Sequence, residues 1–97
     1  MIGPFPPVHP GEVLRDEFLE PLRLSPYAGA KAIGVPRTRI ERLARGETAV
    51  TADTALRLAR WFGTTPEFWM NLQSAHDLAI TAHRAERSLA AISPRAA

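Results

Sequence analysis

The segment from Ser25 to Gly46, SPYAGAKAIGVPRTRIERLARG, constrains this chain more than any other, because its punctuation divides it into two short helices joined by a tight turn. Ser25 is a side-chain acceptor placed immediately before Pro26, the pairing expected at an N-cap and first helical position. Gly34 follows Ile33 where that helix must stop, since glycine reaches the left-handed C′ conformation without steric cost. Pro36 then sits where a second helix would open, its fixed φ suiting a first turn and its missing N–H not needed there. Two helices separated by about three residues that include a glycine form a helix-turn-helix.

The second of these helices, expected from Pro36 to about Arg45, has two unlike faces. At helical spacing Ile40, Leu43 and Ala44 share a side with Pro36, whereas Thr38, Glu41, Arg42 and Arg45 project on the other. Arg37 and Arg39 flank the polar face near the N-terminal end, which in helix-turn-helix proteins is the end that meets base edges. Four arginines in these ten residues matter because guanidinium groups bind phosphate firmly and make bidentate contacts to guanine O6 and N7. On composition alone such a run is more often a solvated helix face. The turn preceding it shifts the balance toward duplex DNA.

Composition agrees with a small nucleic-acid-binding domain. Ninety-seven residues allow one compact domain with a modest core, and no segment approaches the roughly 20 apolar residues of a membrane span. No secretory signal is evident and cysteine is absent, so disulfides and cysteine-metal sites are excluded and the cytoplasm is the expected location. The formal net charge is only +2, but the sequence pI is about 9.9 and the charge is segregated. Between Lys31 and Arg45 five basic residues face one acid, Glu41, while Glu12, Asp16, Glu17 and Glu20 face only Arg15.

The remaining chain reads as helices around the same core. Residues 1–10, with Pro4, Pro6, Pro7 and Pro10, should form an extended arm. A first helix is expected from Gly11 to Glu20, with Leu14, Phe18 and Leu22 on one side and Pro21 ending or bending it. Thr51 is a plausible N-cap for a fourth helix, Asp53 favours its positive start, and Ala55, Leu56, Ala59 and Phe62 recur at core spacing until Gly63. Thr65, Pro66 and Glu67 open a fifth, long helix whose stripe is Phe68, Trp69, Leu72, Ala75, His76 and Ala79, extending past Ile80. Residues 88–97 lack periodicity and are expected to be a disordered tail, leaving 11–87 as the domain.

At this point the residues carry a family resemblance. The chain resembles the HigA-type antitoxins of the XRE (Cro/repressor-like) helix-turn-helix family from His9 to about Leu78. His9-Pro10-Gly11-Glu12-Val13-Leu14 is similar to the family's opening signature, Ala30 to Pro36 to its turn, and Ile40 to Gly46 to its recognition-helix end. Thr51 to Ala59 and Thr65 to Gln73 resemble its fourth and fifth helices. The resemblance implies an all-α, five-helix lambda-repressor-like (Cro/C1-type) domain with a long C-terminal helix. It also implies a homodimer that binds an inverted-repeat operator in double-stranded DNA, autoregulates its operon and neutralises a HigB-type ribosome-dependent mRNA interferase toxin. A departure is Gly29, where such proteins usually place a larger apolar residue; glycine inside a helix costs about 1 kcal/mol relative to alanine and predicts a slightly softer core.

On that reading Arg37, Thr38 and Arg42 are assigned to base readout, with Arg39 divided between base and backbone. Ser25 and Pro26, at a helix N-terminus, together with Arg45 and Thr48 beyond the second motif helix, are assigned to phosphate. Trp61 and Trp69 offer more apolar area than a small monomer buries. The dimer interface is therefore assigned to Trp69, Ala75, His76, Ala79 and Ile80, whereas Phe68 and Leu72 are assigned to the core. Ser25 and Thr51 are better explained as caps than as nucleophiles, and His76 with His83 make no metal site without further ligands, so no catalytic group, metal or cofactor is expected. The acidic side at Glu12, Asp16, Glu17 and Glu20 is better explained as a solvated helix face than as a surface for a basic nuclease. Two other functions remain open at this stage: a solitary XRE-family regulator without a toxin, and a protein-interaction module that has lost DNA binding.

Overall fold

The computed structural model describes residues 5–96, so Met1 to Pro4 of the expected arm, and Ala97 of the expected tail, lie outside the described residues. Within them the chain is all-helical: α1 (Pro10–Val13) runs directly into a π-helical segment, π1 (Leu14–Leu19), followed by α2 (Pro26–Ile33), α3 (Arg37–Ala44), α4 (Ala52–Phe62), α5 (Pro66–Arg84) and α6 (Glu86–Ala90). The three side-chain caps read from the sequence are present. Ser25 Oγ accepts from the Ala28 N–H, Thr51 Oγ1 from Thr54 and Thr65 Oγ1 from Phe68. A fourth cap is additional: His9 Nδ1 accepts from the Gly11 N–H at 2.9 Å while Glu12 Oε2 accepts from the His9 N–H at 3.0 Å, closing a reciprocal capping box. The first helix therefore starts one residue early, at Pro10.

The first helix also departs from the expected 3.6-residue period. Backbone bonds from Glu20 N–H to the Arg15 carbonyl and from Leu24 N–H to the Leu19 carbonyl, both 2.9 Å, span five residues. Pro21 has no N–H for the Glu17 carbonyl, and its ring would crowd that oxygen in an α-helix; the wider register upstream accommodates both. The consequence is a change of face. Leu14 and Leu19 enter the core with half-buried Phe18, while Leu22, expected on the buried side, is 57% exposed.

The core is formed by Leu14, Leu19, Ala30, Ile33, Ile40, Leu43, Val50, Ala55, Leu58, Ala59 and Trp69. In α4 the buried face is Ala55, Leu58 and Ala59 with half-buried Phe62, and the expected Leu56 instead points outward, 59% exposed. In α5 the two aromatics exchange roles. Trp69 is 0% exposed, packs against Phe18 and Phe68 at 5.1 Å each, and donates its indole N–H to Thr64 Oγ1 at 2.8 Å, whereas Phe68 lies at the surface. Trp69 and buried Ala79 are thus already covered within the chain, which removes both from the expected dimer interface. The expected tail does not begin at Ser88, because α6 continues to Ala90.

Candidate nucleic-acid interface

The helix-turn-helix is α2 and α3 with the turn between them. Gly34 adopts φ 73°, ψ 38°, and the Val35 N–H reaches back to the Ala30 carbonyl at 3.0 Å, so the Schellman-type stop anticipated at this glycine is formed. Pro36 is the extended residue that precedes α3 rather than its first helical residue, with φ −61° and ψ 143°. At the far end Gly46, at φ 74°, repeats the device, with the Glu47 N–H bonded to the Arg42 carbonyl at 2.9 Å.

Arginines from outside the motif close both helices. Arg57 of α4 donates Nη1–H to the Ile33 carbonyl at 2.8 Å, and Arg15 of π1 donates Nη1–H to the Ala44 carbonyl at 3.3 Å. Each places a cation where the last carbonyls of a helix point, which satisfies an orphan acceptor and complements the helix dipole. Gly11 brings the α1 backbone against the Leu43 carbonyl so closely that a Cβ there would lie 1.7 Å from the oxygen.

This scaffold holds α3 with Ile40, Leu43 and Ala44 buried and with Arg37, Thr38, Arg39, Arg42 and Arg45 exposed. The guanidinium groups differ in their partners. Arg37 pairs with Glu41 at 2.9 Å and Arg45 with Glu47 at 2.8 Å, both at the surface, whereas among the described residues Arg42 makes no ion pair. Arg39 donates to Asp53 of α4 at 2.5 Å, and Arg57 donates to the same carboxylate oxygen at 3.0 Å. The hydrogen bond from Arg39, then that from Arg57, holds the Asp53 carboxyl below the usual carboxylate range. Asp53 is therefore an acceptor for two arginines rather than merely an acidic residue at a helix start. Ser25 lies exposed at the start of α2 with Pro26 half-buried beside it, and Thr48 is exposed in the loop after α3.

Other expected features separate from this face. Ala75 is exposed and His76 and Ile80 are half-buried along α5, while Leu78, an exposed apolar residue that the periodicity did not single out, projects away from His76 and Ile80. His76 and His83 have different neighbours: the first packs edge-on against His9 at 4.8 Å and the second stacks on Phe5 at 4.1 Å. Among the described residues no three histidine or acidic side chains cluster as a metal site would require, and no helix is long and apolar enough to cross a membrane. The acidic side is partly occupied internally, since Glu12 caps α1 and Asp16 pairs with Arg15 at 2.7 Å.

A helix-turn-helix family profile matches residues 17–69. Virulence-associated protein I of Dichelobacter nodosus is 51% identical over 73 residues, covering 75% of this chain and 68% of that protein. Antitoxin HigA-1 of Vibrio cholerae is 42% identical over 88 residues, covering 91% and 83%. The solved Pseudomonas aeruginosa antitoxin HigA with higBA promoter superposes with a TM-score of 0.90 at 41% identity, covering 93% of this chain and 99% of that one. The domain architecture, the exposed cationic face of α3 and these likenesses converge: the chain belongs to the HigA-type antitoxins of the XRE helix-turn-helix family, a non-enzymatic class of DNA-binding regulators.

Proposed function

We propose that this protein binds an inverted-repeat operator as a homodimer, represses its own operon and neutralises a HigB-type toxin. The observation that carries the DNA-binding part is the division of α3 into a buried apolar side and an exposed side bearing Arg37, Thr38, Arg42 and Arg45, on a scaffold similar to a HigA solved with promoter DNA. Arg42, with no carboxylate partner among the described residues, is the foremost base-reading group, flanked by Arg37 and Thr38. Ser25 with Pro26 at the start of α2, together with Arg45 and Thr48, serve the phosphates on either side. A dimer places two copies of α3 about 34 Å apart in successive major grooves, hence the inverted repeat.

The surface assigned to the second subunit lies on α5 at Ala75, His76 and Ile80, of which Ala75 is exposed and His76 and Ile80 are half-buried. Sedimentation should give a dimer at micromolar concentration, and a monomer would remove that assignment. The toxin part is tested by reading the neighbouring open reading frame and co-expressing its product; a short basic protein that co-purifies supports it.

The DNA-binding part is tested by titrating duplex DNA at several salt concentrations. Affinity should fall steeply with salt, because phosphate neutralisation releases counterions. Arg42→Ala should cost roughly 1 to 3 kcal/mol and relax preference at one base position. A uniform loss across all sequences would reassign Arg42 to phosphate, and no salt-dependent affinity in the wild type would leave a protein-interaction module.

A further inference from the structure

Arg39 lies in the first turn of α3, the end of a recognition helix that meets base edges, yet its guanidinium is bonded to a carboxylate fourteen residues away. Asp53 receives Arg39 Nη1 at 2.5 Å and Arg57 Nε at 3.0 Å on one oxygen, and Arg57 Nη1 continues to the Ile33 carbonyl at 2.8 Å. The chain Arg39–Asp53–Arg57–Ile33 therefore ties the start of α3, the first turn of α4 and the end of α2 into one hydrogen-bonded line. All three charged side chains are substantially exposed, so the line runs along the surface beside the α3 cationic face.

Resting on the DNA-binding reading above, we propose that Asp53 is a specificity-positioning residue: it never touches DNA, but it fixes the rotamer of Arg39 so that the free edge of that guanidinium addresses one defined base step. The physical case has three parts. A free arginine side chain samples many rotamers, and ordering it on binding costs free energy that a preformed bond removes beforehand. One Arg39 nitrogen is committed to Asp53, which leaves the rest of a rigid planar fork with a fixed direction. Asp53 is itself anchored, because Arg57 holds the same oxygen and is bonded in turn to the α2 backbone. The ion pairs of Arg37 and Arg45 differ in kind, since their partners Glu41 and Glu47 lie on α3 or immediately after it and give no reference to the rest of the fold.

The test uses the full chain and a random duplex library, from which wild-type protein selects its preferred site. Base preferences at each position are then measured for wild type, Arg39→Ala, Asp53→Asn, Asp53→Glu and the double variant Arg39→Ala/Asp53→Asn. Arg39→Ala should flatten preference at one position per half-site by roughly 5- to 100-fold, the discrimination a bidentate contact supplies. Asp53→Asn should flatten the same position, by about 5-fold or more, and should add nothing in the Arg39→Ala background; Asp53→Glu should restore part of it. Asp53→Asn also removes a negative charge, so affinity for random duplex should rise or stay level while discrimination falls. The proposal is overturned if Asp53→Asn changes all positions equally, or if its effect persists undiminished without Arg39. Wild-type protein that selects no site and shows no salt-dependent affinity overturns the DNA-binding reading itself, a result distinct from selection of a site whose base preferences ignore Asp53.

Discussion

Replacing Gly29 by alanine should stabilise this protein, and the size of the gain can be worked from its surroundings. Gly29 sits inside α2, buried, where glycine costs about 0.5 to 1 kcal/mol relative to alanine through backbone entropy. An added Cβ would lie 3.4 Å from Trp61 Cζ3, 3.6 Å from Leu19 Cδ2 and 3.7 Å from Trp61 Cη2, which are contact distances. The methyl would thus fill space between two apolar side chains, adding up to about 0.8 kcal/mol for one buried carbon. Trp61 is half-buried and can tilt slightly to relieve the shortest approach, which consumes part of that gain. The net expectation is about 1 kcal/mol, equivalent to a rise in Tm of roughly 4 to 8 °C for a domain of this size. Calorimetry of both proteins at one fixed concentration measures it, since any association between copies would make Tm depend on concentration. An unchanged or lowered Tm would refute the reasoning: the gap beside Trp61 would then be too small, and the stack of Trp61 on Phe62 at 4.5 Å too rigid, to accept a methyl.

Gly11→Ala should do the opposite, because its Cβ would fall 1.7 Å from the Leu43 carbonyl oxygen and only a backbone shift between α1 and α3 can relieve that. A loss of about 3 kcal/mol is expected from urea unfolding, near the upper end of overpacking costs. Stability should also depend on pH through His9. Burial, then the neighbouring His76, push its pKa below the usual 6.5, while Glu12 and Asp77 act in the opposite direction more weakly. As pH falls below about 6.5 the unfolded chain takes up the proton first, so this contribution is present above that value and lost as pH falls through the folded-state pKa. Protonation also removes the Nδ1 acceptor that caps α1. His9→Asn, which keeps a capping oxygen without titrating, should flatten the fall in urea midpoint between pH 7.5 and 5; an unaltered pH profile would assign the effect elsewhere.

The parts of the fold that were legible in the sequence are those fixed by local chemistry. Ser25, Thr51 and Thr65 cap their helices through bonds to a neighbour three residues on, and Gly34 stops α2 through its own conformation, so each can be read from a few adjacent letters. The buried side of α3 follows equally from spacing. Several misplacements arise near a register change or where two large residues close in sequence compete for the same buried side. Leu19 displaces Leu22 because π1 widens the helix, an effect a 3.6-residue period cannot contain. Leu58 rather than Leu56 enters from α4, since both flank Ala55 and Ala59 and only the position of the neighbouring helices decides between them. Trp69 goes inward in place of Phe68 because Thr64 satisfies its indole N–H, a partner defined by the fold of the preceding loop.

The same distinction governs the arginines, whose number in the sequence overstates the cationic face while their positions understate its order. Arg15 and Arg57 are committed to the ends of α3 and α2, so releasing either would leave a helix-terminal carbonyl without its partner. Arg37 and Arg45 hold only exposed pairs with Glu41 and Glu47, and such pairs contribute at most about 1 kcal/mol. Exchanging either carboxylate for another anion therefore costs little, and among the described residues Arg42 has none to exchange. Arg39 stands between the two groups, exposed like the second but anchored across the fold like the first. Ranked by the cost of release, Arg42 is the freest, Arg37 and Arg45 come next, Arg39 follows, and Arg15 and Arg57, which close the ends of the two motif helices, are the most fixed, a distribution that lets a surface hold its shape while individual side chains on it rearrange.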